Sequence, residues 1–486
     1  MPDEYKLINE RVGLWGGVAL LIGTAIGMSI FIVPTQMLAE AGPSITVAIA
    51  LSIVPLILGV LGLLQLGGAL PVAGGAYLYA SRLIGPYVGM LGVMVPILAV
   101  WSYLLFAALG FAEFLQFFTL EFADFTFGSV ETVLVMWALL AGFVVLNYFG
   151  IRIVARVQLV LVGILLLGLV TFVIAGLPHV DTGNYSDLFP DEVPSGSSVS
   201  EAPFADGMAP FFLAIVTLYI PFQGFTMIVE IGEELDDPIK NIPRVLAIGM
   251  GIVAALSLAA VFVLVGIVPW HEADRIVEEG GGIAYALTEF SDAIIWAGVL
   301  VAIAALIGAA TTINTLLTSY SRTIMRAGRD DVFPPSFADL HDDHETPYRA
   351  IFLLGIPPLI FAPFVVGIDG MVAVDALDWL VTVVVSGIFI IFALLGVAIW
   401  RLPSVFPDRY EYSFYKLPMP VLKFVAVGNT IVSSILALLV GLSQPSALAL
   451  VIVWMVLSYG IYRYRIRTYT GDGKLKDRMQ GLDSHE

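Results

Sequence analysis

Two short stretches concentrate the residue types that can do chemistry in this otherwise apolar chain. One is Gly23-Thr24-Ala25-Ile26-Gly27-Met28-Ser29-Ile30-Phe31-Ile32-Val33-Pro34, set in an apolar run from Leu14 to Leu38. The other is Tyr219-Ile220-Pro221-Phe222-Gln223-Gly224-Phe225-Thr226. A plain membrane anchor would carry Leu and Val at these places. Glycine costs about 1 kcal/mol relative to alanine inside a helix, and proline removes a backbone donor and clashes with the preceding turn. Gly23 and Gly27, four residues apart, therefore serve either close helix packing or a break in the helix. A break frees N–H and C=O groups, which are tolerated at membrane depth only where protein buries them or a wet cavity solvates them. The chemistry open to such a site is coordination of an ion or a polar solute. A third candidate is the carboxylate of Glu230, four residues after Thr226 and so on the same helical face. An intramembrane carboxylate points to a proton relay, or to a gate facing the inner vestibule or a basic residue such as Arg11.

The elements that must position these groups are membrane helices. At 486 residues, with 59% hydrophobic and 13% charged residues, the chain is too apolar for a soluble domain and is expected to be an all-α polytopic membrane protein. Apolar runs separated by polar punctuation give about twelve transmembrane helices, the first over 14–38, the sixth over 208–232 and the eighth over 289–321. Lys6, Arg11, Arg82, Arg152, Arg156, Lys240, Arg322, Arg326 and Arg349 fall at the termini or in the even-numbered loops. The opposite loops hold Arg275 among Glu121, Asp181, Glu272 and Glu278. The positive-inside rule then places both termini in the cytoplasm of a multi-pass plasma-membrane protein.

A Ser-rich, acidic connection over 178–207 is expected to be an extracellular loop between helices five and six. It separates 14–177 from 208–400, two sets of five helices. Five is odd, so the second set enters the membrane inverted, and a broken helix one demands a broken helix six, which Pro221 and Gly224 supply. Residues 1–13 form a cytoplasmic N-terminus, 401–465 two trailing helices and 466–486 a cytoplasmic tail.

Composition also excludes. There is no cysteine, hence no disulfide, thiolate metal site or cysteine nucleophile. The five histidines fall in predicted loops or the tail, and no zinc-type pair or nucleophile motif is present, which argues against an enzyme. The tail after Tyr464 is too short for the soluble domain a sensor would carry. A formal net charge of -18 argues against a nucleic-acid partner and suggests a halophilic prokaryote as source.

The first stretch resembles the helix-one signature of the amino acid/polyamine/organocation superfamily of secondary transporters. Pro71-Val72-Ala73-Gly74-Gly75-Ala76-Tyr77-Leu78-Tyr79 with Gly85-Pro86 is similar to its second motif. Gly224-Phe225 through Glu233-Glu234, then Asp237-Pro238 and Ile242-Pro243-Arg244, is similar to its helix six and following loop. Ser321-Arg322, Arg329-Asp330 and Pro334 resemble its helix-eight exit. The resemblance covers Leu14 to Pro347 and implies a leucine-transporter-type 5+5 inverted repeat with helices one and six broken, alternating access, and an amino acid or amine as substrate. Two departures are Ser29, where the family usually has a third glycine, and Thr226, where many members have an acidic residue.

On this resemblance, the N–H groups of Gly27, Met28 and Ser29 open a half-helix that would hold a substrate carboxylate. The carbonyls of Thr24, Ala25, Pro221 and Phe222 would accept from its ammonium. Phe225 resembles the family's aromatic lid, Thr226 and Tyr103 are further candidates for contact, and Asn314 aligns with substrate-proximal positions. Thr311 and Thr312 resemble a sodium site completed by carbonyls of Gly23, Ile26 and Gly308, a neutral oxygen set suited to a hard cation. Bonding of both hydroxyls back to their own helix is the structural alternative. The helix-five lysine of proton-coupled and exchanging relatives corresponds here to Leu165, so sodium is the expected coupling ion and no other cofactor is implied. Glu233 and Glu234 match the family's inner motif, where an ion-pair role is expected. Membrane lipid is the other partner, and neither the substrate nor the oligomeric state is legible.

Overall fold

The computed structural model describes residues 12–123, 125–190, 209–291, 295–368 and 376–467. Helices follow one another as α1 (Leu14–Ala25), α2 (Ser29–Ala41), α3 (Ile45–Ala69), α4 (Gly75–Leu83), α5 (Pro86–Ala123), α6 (Ser129–Tyr148), α7 (Ile151–Gly176), α8 (Ala209–Thr217) and α9 (Met227–Glu230). They continue as α10 (Pro238–Ile267), α11 (Ala273–Glu279), α12 (Gly282–Phe290), α13 (Ile295–Arg329), α14 (Tyr348–Ile368), α15 (Ala376–Val405), α16 (Pro407–Glu411), α17 (Met419–Ser443) and α18 (Pro445–Arg465). Among the described residues there is no strand, only an isolated parallel bridge between Val12 and Leu235.

Eleven stretches of the described residues are long and apolar enough to cross a membrane. The first, Leu14–Ala69, runs through α1, α2 and α3 and is interrupted at 26–28 and 42–44, so it contains the first two helices expected from sequence. The protein is therefore a multi-pass helical membrane protein. Its α5 is almost wholly buried, packed against α4, α13, α15 and α18, whereas little of α6 and α18 is buried. Phe424, Ile431, Val453 and Val456, on α17 and α18, are exposed apolar side chains of the kind a hydrocarbon solvent accepts. The breaks expected in helices one and six are both present. Helix one divides into α1 and α2, and helix six into α8 and α9 with a short 3-10 turn, Ile220–Phe222, between them.

Two regions differ from expectation. The acidic connection before α13 contains α11 and α12, which pack on α2; seven- and nine-residue helices give too short a periodic signal to stand out from a loop. Also, α13 continues two turns beyond residue 321 to Arg329. A charged run normally marks a membrane helix end, but here its charges are neutralised inside the protein. Arg322 Nε donates to both Glu234 carboxylate oxygens at 3.0 and 3.2 Å. Beyond it, Asp330 Oδ2 accepts from Arg82 Nη1 and from Tyr77 Oη, each at 2.5 Å, with the Arg82 and Asp330 side chains fully buried. Burial and then the Asp330 charge push the Tyr77 phenol well above its usual pKa, so it stays protonated and donates. Asp330→Ala would remove the carboxylate that neutralises the buried Arg82 charge. It is expected to destabilise the protein by about 3–5 kcal/mol and to lower its thermal midpoint in detergent; an unchanged midpoint would mean the triad adds no net stability.

Candidate functional site

The chain turns at Ile26–Met28 because Gly27 takes a left-handed φ of +46°, a conformation that L side chains rarely adopt. A Cβ there would also lie 2.2 Å from Thr312 Oγ1. The same intimacy recurs at Gly308 on α13, whose added Cβ would lie 2.4 Å from the Gly27 carbonyl oxygen. Bare backbone on both sides lets α13 press directly against the interrupted helix. Gly27, Met28 and Ser29 thus stand at the N-terminal opening of α2, where helical N–H groups have no partner within the helix.

Helix six meets this turn with a break of its own. From Leu218 to Thr226 the backbone makes short-range bonds only, such as Phe222 N to Tyr219 O and Gln223 N to Ile220 O, both 2.9 Å. Gly224, at φ +97°, sits so close to helix one that a Cβ would lie 2.6 Å from Thr24 Cγ2. The two breaks therefore touch through Thr24 and Gly224, with Ala25 next to the contact in one segment and Phe222 two residues before it in the other. Thr24 donates its hydroxyl to Leu20 O at 2.9 Å, and Ser29 donates its own to Ile26 O at 3.1 Å.

Four of the five groups expected to hold a cation converge. Thr311 Oγ1 lies 3.0 Å from Gly23 O and 2.8 Å from Gly308 O, while Thr312 Oγ1 lies 3.0 Å from Gly308 O. Both hydroxyls thus reach the carbonyl of Gly308 in their own helix, and Thr311 also crosses to α1. The Ile26 carbonyl instead accepts from Ser29.

The other candidates are distributed around this centre. The Phe225 ring is buried, stacks on Phe392 of α15 at 5.3 Å and lies over Gly59 of α3. Thr226 adjoins the Tyr320 hydroxyl, and Tyr103 on α5 adjoins Ser29. Pro221 is buried in the 3-10 turn. Asn314 is engaged elsewhere: its amide donates to Gln158 Oε1 at 2.8 Å and its carbonyl accepts from Asn147 at 3.0 Å, away from both breaks in sequence and on the α6–α7 side of α13. Thr318 donates to Asn147 at 2.6 Å and Gln158 donates to Thr311 O at 3.4 Å, completing a polar chain through α6, α7 and α13. Neither Asn147 nor Gln158 is among the site residues expected from sequence, although an amide inside an apolar helix was the available signal.

Below the breaks, at the end of the bundle marked by Val12, Glu230 is buried. Its carboxylate accepts from the Thr323 hydroxyl and from Ala76 N at 3.4 Å. A Cβ on Gly75 would lie 2.2 Å from Glu230 Oε1, which explains one glycine of the Pro71–Gly75 motif. Glu234 pairs with Arg322, and its carbonyl accepts from Val12 N at 2.8 Å, so the first described residue of the chain closes onto the end of helix six. Arg11 and the Glu233 side chain lie outside the described residues. At the opposite end, Met37, Glu40, Thr217, Asp378, Thr382 and Gln444 line a recess beside α2 and α8.

Comparison with known proteins places this geometry in context. The family described as "Amino acid permease" matches residues 12–458. The chain is 24% identical to the methylthioribose transporter of Bacillus subtilis over 445 residues, 88% of each chain. It is 22% identical to the branched-chain amino acid permease of the same organism over 445 residues, 87% of each. It is 24% identical to cationic amino acid transporter 5 of Arabidopsis thaliana over 370 residues, 73% of this chain and 60% of that one.

Gly27→Leu would force the α1–α2 turn away from α13. It is expected to reduce solute uptake into vesicles at least about tenfold, the scale of a lost 1.4 kcal/mol contact, with the protein still monodisperse. Normal uptake by that variant would refute a role for the turn.

Proposed function

The chain belongs to the amino acid permease family of the amino acid/polyamine/organocation superfamily, and from that premise we propose that it imports amino acids by sodium-coupled alternating access. It is a transporter of small molecules and not an enzyme. The observation that carries the proposal is the meeting of two broken helices at Thr24 and Gly224 under the hydroxyls of α13. A zwitterion needs acceptors for its ammonium and donors for its carboxylate once it leaves water. The N–H groups opening α2 would supply the donors, with the helix dipole behind them, and carbonyls at Thr24, Ala25, Pro221 and Phe222 the acceptors.

Sodium would be held by the carbonyls of Gly23, Ile26 and Gly308 and the hydroxyls of Thr311 and Thr312. It would supply positive charge beside the substrate carboxylate and tie α1 to α13. The 2.8–3.0 Å spacing of four of these oxygens supports the fit, because each hydroxyl keeps lone pairs after donating its proton. The charge distribution supports a cytoplasmic Val12 end and an outward-facing recess at Glu40 and Asp378, with two inverted five-helix repeats around the site. The charge of -18 fits a salt-rich exterior and a halophilic prokaryote. The cargoes named for the relatives are branched-chain amino acids, cationic amino acids and methylthioribose, so the family leaves the side chain open.

A second reading rests on Glu230. It is buried, and the Thr323 hydroxyl and the Ala76 backbone N–H donate to it, an environment in which a carboxylate can carry a proton. That reading makes the protein a proton-coupled or exchanging carrier of amino acids or polyamines.

Uptake of labelled amino acids into proteoliposomes separates the two. An inward sodium gradient is expected to drive accumulation, and Thr311→Ala with Thr312→Ala to reduce the sodium stimulation at least about tenfold, as loss of two oxygen ligands should. An unchanged sodium response in that variant would remove the site. Accumulation driven only by protons, with pH dependence abolished in Glu230→Gln, would establish the second reading instead.

A further inference from the structure

Four buried side-chain polar atoms in and beside the helix-six break have no hydrogen-bond partner among the described residues: Tyr219 Oη, both amide atoms of Gln223, and Ser386 Oγ. Gln223 is 1% exposed, and Tyr219 and Ser386 are fully buried. Gln223 immediately precedes Gly224, the residue through which helix six touches Thr24 of helix one. The Tyr219 ring lies 4.9 Å from Phe389 of α15, and Ser386 stands one helical turn before Phe389. Tyr219 and Ser386 thus lie where the helix-six break packs on α15, and Gln223 lies one residue from the meeting of the two breaks.

Buried polar groups are nearly always hydrogen-bonded, and a glutamine amide brings two donors and two acceptor lone pairs. None of these is used among the described residues. Packing alone does not call for an amide here, because Met fills a similar volume without burying a polar group. We propose that Gln223 reads an uncharged polar group, a hydroxyl or a carboxamide, on the side chain of the transported amino acid, with the Tyr219 and Ser386 hydroxyls as further partners. This rests on the amino acid permease reading and narrows its substrate to neutral polar amino acids. A group that both donates and accepts matches an amide at both atoms, whereas an aliphatic side chain would leave both unpaired. A charged side chain would need an opposite charge in the site. The two nearby carboxylates with described side chains on the inner part of helix six are already engaged, Glu230 by Thr323 and Ala76, and Glu234 by Arg322. A site built to hydrogen-bond a substrate group also rejects the analogue lacking it far more strongly than an apolar pocket rejects an added hydroxyl.

Equilibrium competition on the purified full-length protein with two isosteric pairs, threonine against valine and asparagine against leucine, tests this. At least one polar member is expected to bind about 100-fold or more tighter than its aliphatic partner, and the pair that discriminates tells hydroxyl from carboxamide. Gln223→Met is expected to bring that ratio below about fivefold by strengthening valine or leucine binding. Equal binding within both wild-type pairs would overturn the inference without recourse to a variant, as would a ratio retained in Gln223→Met. Failure of the monodisperse wild-type protein to bind any amino acid would overturn the amino acid reading itself and this inference with it, an outcome distinct from binding without discrimination.

Discussion

A helix that stops at membrane depth must find partners for the backbone groups it exposes, and much of this structure follows from how α13 meets that demand. Its Thr311 hydroxyl reaches the Gly23 carbonyl at 3.0 Å, which is possible because α1 and α13 touch backbone to backbone around Gly27 and Gly308. Gln158 of α7 then donates to the Thr311 carbonyl, so the helix that supports the break is itself anchored from behind. Asn314 and Asn147 extend that anchorage to α6. Each of these polar groups is buried and each has a partner, the condition under which a polar network rigidifies a core rather than weakening it.

The same helix organises the charges. Arg82–Asp330 joins α13 to α4, and Arg322–Glu234 joins it to the end of helix six. These pairs are buried, so their value lies less in net stability than in the cost of separating them, which would leave an uncompensated charge. Tyr77, the Thr318 carbonyl and the Ser321 hydroxyl satisfy further lone pairs and protons, as a buried ion pair requires.

How far the sequence exposes this arrangement depends on how local each cause is. Gly27, Pro221 and Gly224 announce the two breaks because glycine and proline act on the backbone where they stand, and the structure interrupts the helices at those residues. The neighbourhood of Gly23, Gly308 and the two threonines was legible from the resemblance to a known family, since a contact across 288 positions leaves no local trace. The extension of α13 to Arg329 was hidden for the same reason: Arg322 reads as a helix end until Glu234, 88 positions away, is known to neutralise it. Asn314 shows the converse. Its place on helix eight was evident, but which face of that helix meets Gln158 and Asn147 is a tertiary fact, and it decides what the amide touches.

These contacts are unequal in strength, and the inequality bears on which parts can separate. Parting α1 from α13 breaks the neutral Thr311–Gly23 hydrogen bond, a contact of about 1 kcal/mol net, at a turn whose exposed groups can take up water or solute instead. Parting the Glu230–Glu234 end of helix six from α13 would strand the Glu234 and Arg322 charges, and would displace Glu230 from Thr323 and Ala76. Backbone bonds of Val12 to Glu234 and Asp236 tie the start of the described chain beside those charges, and only water reaching them would lower the cost of separating them. The charged contacts thus hold α13 to the Val12 end of the bundle, while the weaker neutral ones hold it to the breaks.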